Sequence, residues 1–348
     1  MRSEDKLLFA CTRQNFLDVH QKAALDICGN EDVRWDVVHA TAMQHGVASL
    51  VYSNLLKCPG ANLGIPQDII DKFKLCVANN IVRKNRRAEK LMEVLSFMKN
   101  KSIDVMLIKG VALDILVYDQ PWYMISDDID LILRKKKEDV SDTDKKEISV
   151  LLRHPVNIEC EYFRHHDVDM NEVLPVNFQK IWDNTTRIKF RGYDVCVMSP
   201  EDLLMSACIN CCRKRFFRLK SLCDVAETVR KYNNLNWDEL TRNAREHHCN
   251  SIVYAALLVT KMTLGCELPD GVLEKLTDST IRATIIRSLA RHFIQSVSLS
   301  SAFPYYKRNK LNAVVKKINV SLFLPYATYR WYQLWRKMKY LWKTKPWG

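Results

Sequence analysis

The chain has 348 residues, of which 47% are apolar and 27% charged, enough for about two domains with a sizeable core. This ordinary globular balance excludes a disordered chain, a collagen and a membrane channel. The net charge of +13 is concentrated at one end: no carboxylate follows Asp278, residues 279–348 carry 14 Lys and Arg, and residues 1–278 sum to −1.

Twelve cysteines are too sparse for a disulfide-stapled mini-protein. The charged start Met1 to Lys6 and the short apolar run Leu7 to Cys11 do not make a secretion signal. No stretch reaches the roughly 18 uncharged apolar residues that cross a bilayer. Ser251 to Thr260, the longest candidate, stops at Lys261. The expected setting is a reducing cytoplasm with free thiols.

Helical periodicity dominates the first hundred residues. Glu31 to His45 reads as one helix, and Cys58-Pro59-Gly60 to Pro66 breaks the pattern. A long helix then runs from Gln67 to about Lys99, with Ile70, Phe73, Val77, Ile81, Leu91, Val94, Leu95 and Met98 on its expected buried side. Val105 to Ile108 is a short apolar strand ending at Lys109-Gly110, and Val111 to Tyr118 a short helix. Asp128 to Leu133 and Val156 to Phe163 read as further strands. Thr186 to Val197 reads as a hairpin turned at Arg191 to Asp194. Ser199-Pro200-Glu201-Asp202 carries a helix start, with Ser as N-cap and Pro at the first helical position. Helical periodicity then continues to about residue 296. The organisation is helices, a small sheet, then helices.

Chemistry concentrates in Leu107-Ile108-Lys109-Gly110 and Asp127-Asp128-Ile129-Asp130. On a strand Asp128 and Asp130 share a face, with Cα atoms about 6.5 Å apart. Two carboxylates held there repel unless a cation lies between them. Hard divalent ions take such oxygen ligands and pair in two-metal phosphoryl-transfer sites. Val156 to Glu161 offers a third carboxylate in Glu159 or Glu161. A glycine turn before a helix lets backbone N–H groups approach a phosphate. On an edge strand, however, the same Asp-x-Asp triplet is commonly a solvated face.

Strand, Lys109-Gly110, helix and Asp128-x-Asp130 together resemble the nucleotidyltransferases of the DNA polymerase β superfamily. The nearest resemblance is to the uncharacterised nucleotidyltransferase family. Further matching motifs are Met43-Gln44-His45-Gly46-Val47, Ser199 to Leu204, and Arg218 to Asp224, so the likeness spans roughly residues 5–270. It implies an α+β fold, a small mixed sheet of polymerase β type (residues 101–198) between helical regions 1–100 and 199–300; composition adds a basic aromatic tail over 301–348. It also implies transfer of a nucleoside monophosphate from an NTP to an acceptor hydroxyl, with pyrophosphate leaving. Asp128 and Asp130 would hold Mg²⁺ or Mn²⁺, with Glu159 as third carboxylate helping to activate the hydroxyl. Lys109, Gly110, Ser126 and Arg218 would contact the nucleotide. The resemblance leaves the acceptor open among a small molecule, a glycan, a peptide and RNA. Family members generally carry an arginine shortly before the Asp pair, where this chain has Tyr123-Met124-Ile125-Ser126. The short, charged stretch from Arg134 to His154 leads one to expect a trimmed helix after the second strand.

Four other clusters have plain readings. Cys208, Cys211 and Cys212, with Cys223, have half of a zinc site's spacing, but without a second pair they read as buried helical thiols. His165-His166-Asp167 reads as a polar loop, and Glu246-His247-His248-Cys249 as a helix end. Arg213, Lys214, Arg215 and Arg218 read as a solvated basic turn or a phosphate contact. The tail is a separate signal: residues 321–348 hold nine aromatics among Lys and Arg. On a helix, Trp331, Leu334, Trp335, Met338, Leu341 and Trp342 gather on one side. Such a segment packs on the body, lies on an anionic membrane surface, or grips nucleic acid.

Overall fold

A computed structural model gives the architecture for residues 1–58, 63–126, 128–135, 139–152, 157–162, 178–214, 216, 218–296 and 298–300. The tail over 301–348 and the His165-His166-Asp167 cluster lie outside these described residues, as do the side chains of Glu159 and Glu161.

The chain opens with α1 (Ser3–Cys11), α2 (Asp18–Asn30), α3 (Trp35–His45), α4 (Ala48–Leu55) and the 34-residue α5 (Gln67–Asn100). The α/β stretch follows as β1 (Val105–Ile108), α6 (Lys109–Leu116), β2 (Asp128–Leu133), α7 (Asp142–Leu151), β3 (Asn157–Tyr162), α8 (Phe178–Asp183), β4 (Thr186–Phe190) and β5 (Tyr193–Val197). Six further helices complete the chain: α9 (Pro200–Arg213), α10 (Leu219–Lys231), α11 (Trp237–Glu246), α12 (Asn250–Leu264), α13 (Val272–Lys275) and α14 (Thr280–Ser296).

The sheet order is β3-β2-β1-β5-β4. β1 pairs antiparallel with β2 and parallel with β5, and β2 pairs parallel with β3. All four residues of central β1 are buried, which is why it is an unbroken apolar run rather than an alternating one. The β4–β5 hairpin turns on Arg191 and Gly192, both at positive φ, as two-residue hairpin turns require. The predicted cap is present: Ser199 Oγ accepts from Asp202 N–H at 3.2 Å.

Two expectations fail. The helix after β2 is not trimmed, because Ser141 caps ten-residue α7 by accepting from Asp144 N–H, and Asp142 and Asp144 sit at its positive end. The buried side of α5 also differs mid-helix. Ile81 is exposed, and the stripe from Ile69, Phe73 and Cys76 to Leu91, Val94 and Met98 is completed by Asn80, Lys84 and Arg87.

Long-range hydrogen bonds join the two ends of the described chain. His45 is fully buried; its Nδ1 accepts from Leu219 N–H, and its Nε2–H donates to Leu299 carbonyl oxygen. Leu299 N–H in turn donates to Asp5 Oδ1. Among the described residues no helix is long and apolar enough to cross a membrane.

Every described cysteine is free. Burial keeps the thiols of Cys208, Cys211 and Cys223 protonated well above the usual range and pushes Cys28 and Cys266 up to about 11, Cys212 and Cys249 to about 12. In the unfolded chain these groups ionise near the ordinary value of about 8.5. Above that pH the unfolded state binds fewer protons than the folded one. Stability is therefore full below the window and falls through it, by up to about 1.4 kcal/mol per pH unit for each thiol. Urea midpoints compared at neutral pH and at about pH 9.5 under reducing conditions should show this loss.

Candidate active site

The site forms where β2 begins. Asp128 and Asp130 are alternate residues of β2, so they share one face while Ile129, Leu131 and Leu133 fill the other. β2 is an inner strand between β3 and β1, which removes the solvated-edge reading of the Asp-x-Asp triplet. Asp130 is only 4% exposed and pairs through its Oδ1 with Lys109 Nζ at 2.6 Å. Among the described residues, the Asp128 carboxylate takes no ion pair. In the strand ladder Asp130 faces Ile108 on one side and Glu159 on the other. In the ladder the backbone of residue 159 thus lies beside that of Asp130.

The turn from β1 into α6 has no loop residue. Its left-handed residue is Lys109, at φ 52°, and not Gly110. A non-glycine residue held there costs about 1–3 kcal/mol and persists only where its surroundings over-determine it; here the ion pair to Asp130 helps to hold it. A Cβ at Gly110 would meet Ser126 at 3.7 Å, an ordinary contact. Packing does not demand glycine at this position, so its bare backbone is free to serve another purpose.

The sequence reading missed the device that positions β2. Three successive turns of α5 reach the segment that leads into the strand. Asn80 Nδ2 donates to the carbonyls of Trp122 at 2.6 Å and Met124 at 3.3 Å. Lys84 Nζ and Arg87 Nη1 each donate to Ser126 Oγ at 3.0 Å. Arg87 also donates to the Ser126 carbonyl and, through Nη2, to the Asp128 carbonyl at 2.8 Å. Even-numbered backbone groups from 122 to 128 are thereby fixed to one helix. On the odd-numbered side, Ile125 N–H donates to Gly46 carbonyl oxygen at 2.9 Å. Gly46 sits at φ 74°, and a Cβ there would lie 3.2 Å from Ile125 carbonyl oxygen and 3.3 Å from Arg218 Nη2. Only glycine fits that approach.

Asp114, from α6, neutralises part of this charge by pairing with Lys84. Burial pushes Lys84 down to about 8 and holds Asp114 above the ordinary carboxylate range. In each case the pair's own attraction opposes the shift. Lys220 adds a further cation and is itself paired with Asp224 at 2.8 Å, which also accepts from Tyr118 Oη–H. Arg218, expected at the nucleotide, lies against Gly46; its Nε is buried without a hydrogen-bond partner among the described residues. Ser126, expected in the same role, is buried and already accepts from two cations.

A family model described as uncharacterised nucleotidyltransferase matches residues 31–265. The chain belongs to that family. No curated protein and no solved structure matches the chain. The matched nucleotidyltransferase span is narrower than the resemblance first implied. It runs from the residues before α3 to the end of α12 and holds every site residue named here, with α1, α2, α13 and α14 outside it. Within it, the arginine absent from Tyr123 to Ser126 has a counterpart in charge: Arg87 reaches the same segment from α5.

Removing one partner of a buried ion pair costs about 3–5 kcal/mol, whereas replacing both by apolar groups is often neutral. Asp114→Ala should therefore destabilise the chain by about that amount. The pair Lys84→Met/Asp114→Leu should recover most of the loss in urea denaturation. It should nonetheless weaken nucleotide binding, measured by calorimetry, because Ser126 loses its lysine.

Proposed function

We propose that this chain transfers a nucleoside monophosphate from an NTP to an acceptor hydroxyl. The observation that carries the reading is the placement of Asp128 and Asp130 on one face of an inner strand, with Glu159 beside Asp130 in the ladder. Family membership supports it. All three are hard oxygen donors, the set that suits Mg²⁺ or Mn²⁺ rather than a thiolate- or imidazole-seeking metal. The buried Asp130 needs a cationic partner, a role Lys109 also fills, so the donor set fits a divalent ion.

Asp128, Asp130 and Glu159 would hold a divalent ion, which would supply charge neutralisation for the triphosphate and acidify the acceptor hydroxyl. The acceptor oxygen attacks the α-phosphorus, the bond to the bridging oxygen of the β-phosphate breaks, and pyrophosphate departs with that electron pair. Glu159 receives the hydroxyl proton. The bare backbone at Gly110 approaches the phosphates at the start of α6. Ser126, whose oxygen is occupied as acceptor, keeps its own proton to donate toward the same turn. Lys109 neutralises charge, either on Asp130 or on the leaving pyrophosphate. Arg218 offers a guanidinium edge to phosphate or to an acidic acceptor. The work is mostly positioning and charge stabilisation.

The Lys109–Asp130 ion pair also favours a second reading, a module that binds nucleotide without transferring it, because an ammonium engages an oxygen that a metal needs. One experiment separates the two. Pyrophosphate release and label transfer are followed from each α-labelled NTP with Mg²⁺ or Mn²⁺, using host lysate as acceptor. Transfer should appear with the wild type and fall at least about a hundredfold in Asp128→Asn and Asp130→Asn, the scale on which such electrostatic groups act. Transfer that survives both substitutions sinks the proposal. Metal-dependent NTP binding with no transfer from any nucleotide supports the second reading. Gly110→Ala should keep the wild-type urea midpoint and raise KM for the NTP.

A further inference from the structure

α14 lies beyond the family-matched residues and is apolar on two faces about 120° apart around the helix axis. Ile286 and Ala290 are buried toward the body. Ile281, Ile285 and Leu289 recur every fourth residue on the other side and are 75%, 42% and 49% exposed. Repeats of four on a helix make one stripe, and here the stripe faces solvent. Cations border it. Arg287 and Arg291 stand along one flank, exposed and without an ion pair among the described residues. Arg282 lies on the other flank, where it reaches Asp278 at 3.7 Å. The helix contains no carboxylate.

We infer that this outward face of α14 docks on an anionic lipid surface. Three observations select that occupant. A second copy of the chain would set Arg287 and Arg291 against their own equivalents with no acid to receive them. The chain's own tail is no better matched, since residues 301–348 carry eleven Lys and Arg and no Asp or Glu. Nucleic acid calls for cations at the centre of the contact, on the phosphates, whereas here the centre is aliphatic and the cations are peripheral. An apolar stripe bordered by arginines is the pattern of a helix lying in a headgroup layer, its side chains in the acyl boundary and its guanidinium groups among the phosphates. The sequence of residues 321–348 repeats the pattern, with Trp331, Trp335 and Trp342 among lysines. Stable attachment by surface helices generally takes more than one weak signal, and α14 with the tail provides two. The inference stands whether or not the site transfers nucleotides.

The test uses the full chain and two kinds of vesicle, phosphatidylcholine alone and an equimolar mixture with phosphatidylglycerol. Cosedimentation should show binding to the mixed vesicles only, weakening with added salt. Ile285→Ser/Leu289→Ser should lower the partition coefficient about tenfold or more without moving the urea midpoint, because both side chains leave water only on docking. Arg287→Gln/Arg291→Gln should also weaken binding and flatten its salt dependence. If the serine pair does not fold, the exposed arginine pair decides alone. Wild-type binding by the serine pair, or by the arginine pair, would overturn the inference, as would failure of the wild type to bind the mixed vesicles. So would a stripe-dependent dimer in solution, or stripe-dependent RNA binding with vesicle binding unaffected.

Discussion

A row of polar side chains buried along one helix fixes the site. Asn80, Lys84 and Arg87 stand on the core side of α5, where a long helix normally shows only apolar groups. Residues 122–126 lie in no strand, and without α5 the carbonyls of Trp122, Met124 and Ser126 would lose these partners. Such groups must find a partner or cost the full price of desolvation. The three side chains accept that task at successive turns, so a straight helix acts as a ruler for the chain that runs beside it. Where the ruler ends, β2 begins, and the position of Asp128 follows from its own carbonyl, held by Arg87. Charges this deep are weak contributors to stability in themselves. Their effect is to make one placement of the strand entry far better than its neighbours.

The opposite corner is fixed by different means. Lys109 holds a backbone conformation unfavourable to a lysine, and its ammonium reaches Asp130 across the β1–β2 pair. Strand entry and helix entry are thus secured independently, one through backbone carbonyls and the other through a carboxylate. Gly46 adds a third fixture, from the end of α3. Phosphate chemistry needs such redundancy because little bond-making falls to the protein, and small displacements of charge are expensive in rate.

Much of this was legible in the sequence, for physical reasons. Strands β1 and β2 announce themselves because an interior strand must be apolar where it is covered, and the two acids interrupt that run at alternate positions. The Ser199 cap is local chemistry, readable from four residues. The ends of α5 are nearly as expected, since Pro66 and Ser102 punctuate it. The ruler was not legible as function, because Lys84 and Arg87 lie among Arg83, Arg86, Glu89 and Lys90, and a crowd of charges on a helix usually faces water. A signal was nevertheless there: 73, 76, 80, 84, 87, 91, 94 is one unbroken stripe at helical spacing, with three polar residues inside it. Choosing Val77 and Ile81 instead follows hydrophobicity and loses the period. In the sequence Lys109 is only the companion of a glycine turn, and nothing there tells which of the two residues takes the left-handed conformation. Ser126 and Asp114 acquire their roles only through partners about forty and thirty residues away.

The bonds at Leu299 carry a consequence for how the protein is made. Asp5 and His45 leave the ribosome 294 and 254 residues before Leu299, whose backbone groups complete their hydrogen bonds. Throughout most of synthesis the buried imidazole and carboxylate therefore lack those partners. Even when α1 and α3 have formed, their docking stays provisional until Leu299 has been delivered. These helices are thus completed long after they are made, and a nascent chain released before residue 299 leaves Asp5 and His45 without those partners.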